Sequence, residues 1–183
     1  NVQIINRKCH ELKVQIADLR RLQPDAAASQ SLDEAEQAAR MYDANAATGN
    51  EVLDVVLTEK SLLCEAQRIR LNCVADGTCL AAIEPGDLYA LFSNLLDQAI
   101  DAAAQQRDTD RRMIDLLVCR RQGFAVVNVI GPRPAEQPDH GRRHSYELKV
   151  ARRIVHKYSG TMATEPREAL FAVKIVLPPP KAE

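Results

Sequence analysis

Val2, Ile5, Cys9, Leu12, Ile16 and Leu19 alternate spacings of three and four residues, which sets them as one apolar seam down the side of a helix. Gln23, Pro24 and Asp25 end that pattern, and Ser31 with Glu34 carries a capping-box signature for a second helix. There Leu32, Ala35, Ala39, Tyr42 and Ala46 repeat the spacing. Two such helices form a hairpin, and two copies a four-helix bundle, so the pattern predicts a dimerising domain over 1–47. Thr48-Gly49-Asn50 breaks the seam, and 48–183 reads as a second domain.

Beyond that break the periodicity is mixed. A helix is expected over 52–67 with Val52, Val56 and Leu63 inward, followed by a strand in which Ile69, Leu71 and Cys73 alternate with Arg70 and Asn72. Asp76-Gly77 is a turn. Pro85 stands in the first turn of a helix whose buried stripe is Leu88, Leu91, Phe92, Leu95, Ala99 and Ala102. Two β-rich runs, 113–119 and 124–130, flank Gly123 as a hairpin. A loop with Pro132, Pro134 and Pro138 leads to a helix over 147–158 stopped by Gly160, and a final strand over 169–177 ends at three prolines. Helices interspersed with hairpin-linked strands predict an α+β fold, a two-layer α/β sandwich behind the helical hairpin.

Composition narrows the function classes. In 183 residues, 46% hydrophobic and 27% charged is the balance of a globular chain. The 24 basic and 25 acidic residues leave a net charge of −1, which supplies no long-range field to recruit nucleic acid. No apolar run approaches the roughly 20 residues that span a bilayer. Cysteines 9, 64, 73, 79 and 119 are odd in number and never spaced C-x-x-C, so reduced thiols are expected rather than disulfides or zinc. Asn1 falls inside a helical pattern, and a longer parent protein is expected.

On the helix starting near Pro85, a step of 100° per residue gathers Asn94, Asp97, Gln98 and Asp101 on the face opposite the apolar stripe. Such a face is ordinarily the solvated one. Here it precedes a β-hairpin, a Pro/Gly loop and a further helix, an order that can hold a nucleotide with its phosphates at a helix N-terminus. The string Asn94-Leu95-Leu96-Asp97-Gln98-Ala99-Ile100-Asp101 resembles the N-box of the GHKL ATPases, the superfamily of gyrase, heat-shock chaperone, histidine kinase and mismatch-repair ATPase domains. Residues 48–60 are similar to the opening helix of the quorum-sensing and peptide-pheromone type of sensor histidine kinase. Arg7-Lys8-Cys9-His10-Glu11-Leu12-Lys13 resembles its H-box, and Ile154-Val155-His156-Lys157-Tyr158-Ser159-Gly160 the helix after its ATP lid.

The resemblance implies a GHKL-type ATP-binding domain that uses ATP and Mg²⁺, with His10 as phosphoacceptor. An imidazole is a competent nucleophile near neutral pH, and Glu11 is placed to orient it or take its proton. By the same resemblance Asn94 helps coordinate Mg²⁺, with Asp97 beside it. Gln98 stands where the family has a second metal-side asparagine, and Asn128 aligns with the adenine-side polar residue. The lid motif H-G-x-G-L reads His144-Ser145-Tyr146-Glu147-Leu148, which puts Glu147 in the first turn of the helix facing the phosphates. The implied partners are a second copy of the chain and the receiver domain of a response regulator. The implied location is the cytoplasmic part of a bacterial inner-membrane sensor, held to the membrane through an upstream segment. Two readings stay open: a kinase that autophosphorylates His10, and a pseudokinase that keeps the fold and the partner surface without ATP.

Overall fold

The computed structural model describes residues 47–135 and 138–181, with the side chains of 138–145 excepted. The expected hairpin, with His10 and Glu11, lies outside the described residues.

Helix α1 (Glu51–Ala66) starts where Asn50, in extended conformation, accepts hydrogen bonds from the amides of Val52 and Leu53 at 3.1 and 3.2 Å, satisfying N–H groups that a first turn leaves without helical partners. Thr48 is buried just upstream. Its amide and hydroxyl donate to Asp54 Oδ1 at 2.8 and 2.7 Å, and its carbonyl accepts from Gly77 N at 2.8 Å. A Cβ on Gly77 would sit 2.6 Å from both Asn50 Cβ and Thr48 Oγ1, so only glycine lets the two segments approach this closely. The chain therefore joins the domain through a fixed knot.

Strand β1 (Arg70–Ala75) leads into a 3-10 turn, Gly77–Leu80, capped by Asp76. Helix α2 (Pro85–Ala104) has proline in its first turn, where a missing N–H costs nothing. Strands β2 (Met113–Arg121) and β3 (Phe124–Pro132) meet through Gln122 and Gly123, at φ of 51° and 83°, the left-handed pair that a two-residue hairpin turn requires. Helix α3 (Pro138–Lys157), strand β4 (Thr161–Pro166) and strand β5 (Leu170–Leu177) complete the described chain.

The sheet order is β1-β2-β3-β5-β4, with β1 and β2 parallel and every other pair antiparallel. α2 packs against α1, α3, β2 and β3, so it lies at the centre of a helical layer. Phe92, Leu95, Ile114, Val127 and Ile175 are among the fully enclosed side chains between the layers. This is the expected two-layer sandwich.

Three local expectations change. In α1 the inward stripe is Leu53, Val56, Leu57, Lys60 and Cys64, and Leu63 is exposed. α3 starts at Pro138 rather than near 147: proline is tolerated in a first helical turn, so the loop signal of Pro138 was also a helix start. β4 was not anticipated, because Thr161–Pro166 is a mostly exposed edge strand ending in proline, with no apolar alternation to betray it.

Candidate nucleotide site

The polar face of α2 does not act as one surface. Asn94 is half-buried, and its Nδ2 donates to Ala90 O at 2.6 Å, leaving Oδ1 as its acceptor. Asp97 turns toward α1, where its Oδ1 lies 2.8 Å from Lys60 Nζ. Lys60 also lies 3.3 Å from Glu59 Oε1, and Tyr89 OH donates to Glu59 Oε2 at 2.9 Å. Burial favours the neutral amine of Lys60, but the hydrogen bonds and charges of Asp97 and Glu59 outweigh it and hold the ammonium above its ordinary pKa. Gln98 is buried, only 3% exposed, and Asp101 is half-buried. Lys60 was not anticipated as part of this cluster. Its signal was positional: a lysine in register with Leu53, Val56, Leu57 and Cys64.

β3 does not bring Asn128 to α2. Ala125, Val127, Val129 and Gly131 face the helices and are buried, and side chains alternate along a strand. Asn128 therefore lies on the opposite face, opposed across the sheet by Leu117 and Lys174. The position at that end of the strand that does meet α2 is Gly131, whose absent Cβ would stand 3.7 Å from Ala99 Cβ. It offers no polar side chain.

α3 runs antiparallel to α2. Ala135, just upstream of α3, donates its amide to Gln105 Oε1 at the C-terminal end of α2, at 3.2 Å. At the other end Lys157 Nζ lies 2.7 Å from Asp87 Oδ2 and 3.3 Å from Glu84 Oε2. Tyr158 OH donates to Asp87 at 2.6 Å and accepts from the Glu84 amide at 3.0 Å. The hydrogen bond from Lys157, then that from Tyr158, holds the Asp87 carboxyl below its usual range.

Residues 144–148, which the resemblance sets in a glycine lid, are therefore helical. Glu147 stands nine residues after Pro138, in the third turn rather than the first, and is buried at 6% exposure. Leu148 packs against the core. His144 lies in the same helix, its side chain outside the described ones.

A family model for the GHKL domain matches residues 83–178, more than half of the chain. The chain belongs to the GHKL family. The catalytic domain of histidine kinase ThkA superposes with a TM-score of 0.53 at 19% identity, covering 72% of this chain and 92% of that one. Histidine kinase AdeS of Acinetobacter baumannii gives 0.50 at 12% identity, covering 91% of each. At these identities the likeness is one of fold. No curated protein matches the chain.

GHKL domains bind ATP, generally with Mg²⁺, and the residues of this GHKL domain do not fit that ligand. Inside a helix each amide N–H is bonded to the carbonyl four residues back, so the N–H groups of 144–148 are not available to phosphate oxygens as those of a glycine loop are. Asn128, which the resemblance sets on the adenine side, lies on the sheet face away from α2. On α2, Asp97 is committed to Lys60 and Gln98 is buried, which leaves Asn94 Oδ1. Among the described residues, no three His, Cys, Asp or Glu side chains gather as a cation site.

Proposed function

We propose that this GHKL domain belongs to a sensor histidine kinase of the quorum-sensing type in which the ATP site has been given up. The chain then works as a pseudokinase: a dimeric scaffold, joined through a helical hairpin over 1–47, that binds the receiver domain of a response regulator. The observation that carries the reading is the helical course of α3 through the lid positions, with Glu147 buried in its third turn. A carboxylate and saturated backbone amides are the opposite of what a triphosphate needs. On this reading the 48–183 region acts from the cytoplasmic side of a bacterial inner membrane. No helix among the described residues is long and apolar enough to cross a membrane.

One observation favours the other reading, an active kinase that phosphorylates His10. The bond from Asn94 Nδ2 to Ala90 O points the amide oxygen away from its own helix, as a metal ligand would need. Incubation with radiolabelled ATP separates the two. The pseudokinase reading expects no incorporation, and acid-labile label that disappears in His10→Gln would overturn it.

A further inference from the structure

We infer that the outer face of α3 is a docking surface for an acidic protein partner, a conclusion independent of whether ATP binds. Tyr146, 67% exposed, and the exposed Lys149, Arg153 and His156 follow one another at steps of three, four and three residues, which places them in a single stripe about 15 Å long at 1.5 Å per residue. The side chains of Lys149, Arg153 and His156 make no ion pair or hydrogen bond with the described residues. The charges of Lys149 and Arg153 are available, unlike that of Lys157, which is spent on Asp87 and Glu84.

The charge is also segregated. Pro138–Lys157 holds six Lys and Arg against two acidic residues, leaving 18 basic and 23 acidic residues elsewhere in the chain. A basic strip on an otherwise acidic chain attracts and orients an acidic surface. The lock of Lys157 and Tyr158 onto α2 holds the helix in place before a partner arrives, so little ordering entropy is lost on docking.

Protein is favoured over lipid or nucleic acid. A helix that lies in a membrane surface buries a broad apolar face in the headgroups, but Leu148, Ala151, Ile154 and Val155 pack inward and Tyr146 is the outward apolar group. Phosphate-backbone binding takes its affinity from many Lys and Arg contacts along the duplex, whereas this stripe offers Lys149 and Arg153. Tyrosine and arginine, both present on this stripe, are among the residues enriched at protein hot spots.

The test titrates the whole chain with a fluorescent glutamate-rich peptide of about 20 residues, with phosphatidylglycerol vesicles, and with a DNA duplex of similar length. The expected result is salt-sensitive peptide binding that falls at least tenfold in Lys149→Glu/Arg153→Glu. It should fall severalfold in the charge-neutral Tyr146→Ala and stay unchanged in Lys174→Glu, a charge reversal on the far sheet face. Circular dichroism confirms that each variant is folded, and Lys149→Ala/Arg153→Ala substitutes for the reversal if it is not. The inference is overturned if the peptide does not bind, if the α3 variants bind as the parent does, if Lys174→Glu weakens binding as much as they do, or if vesicles or duplex bind more tightly than the peptide.

Discussion

Lys60 offers the sharpest test of how the helical layer is held. Its ammonium is enclosed, with 6% side-chain exposure, whereas Asp97 keeps 32%. Breaking a buried ion pair costs about 3–5 kcal/mol because the survivor is left charged in a poor solvent, and the two survivors here differ. Lys60→Met leaves Asp97 partly hydrated, so about 1.5–2 kcal/mol is expected. Asp97→Ala leaves Lys60 buried with Glu59 as its remaining partner at 3.3 Å, and about 3 kcal/mol is expected. In Lys60→Met/Asp97→Leu neither charge is stranded, so the double variant should be more stable than the sum of the single costs implies by about 1–3 kcal/mol. Urea unfolding, read through the midpoint at constant slope, measures all three. Equal costs for the single variants, or strict additivity, would refute the reasoning, because either means that the pair does not depend on the burial seen here.

Three further outcomes follow from the packing and the charges. Gly160→Ala places a Cβ 2.6 Å from Leu177 Cδ2 and 2.8 Å from Val176 O, and should lower stability by about 1–3 kcal/mol, seen as a lower melting temperature. The Asp87 carboxyl is held below its unfolded-state pKa by Lys157 and Tyr158, so its contribution is present above that value and is lost as pH falls through the folded one. Asp87→Asn should therefore flatten the acid limb of a stability–pH curve below about pH 4. Burial pushes the Cys64 thiol up to about 12, and burial then Asp76 push Cys79 up to about 11, so alkylation of both at pH 8 should wait for unfolding, as peptide mapping after iodoacetamide treatment would show.

The sandwich was legible because its buried segments carry clear periods. The α2 stripe of Leu88, Leu91, Phe92, Leu95, Ala99 and Ala102 matched the helical repeat, and all six side chains are buried. The site was less legible, for separate reasons. Residues 124–130 are apolar on both faces, so alternation could not say which side Asn128 takes. Lys60 was invisible to a hydrophobic template because it is charged, although it occupies an inward position of α1. Pro138 carries a loop signal, which hides about two and a half turns of α3 and moves Glu147 from an expected helix end into a helix interior. The helical repeat sets Asp97 in a solvent-facing strip, and only its contact with α1 reveals that it is structural.

Calorimetric titration of the unmodified chain with Mg–ATP tests the central claim most directly. An α3 that runs unbroken through the lid positions, with Glu147 buried inside it, predicts no measurable heat of binding up to about 1 mM nucleotide, the level at which binding is worth only about 4 kcal/mol. Saturable binding in the micromolar range would contradict it, and would mean that α3 opens to admit the triphosphate.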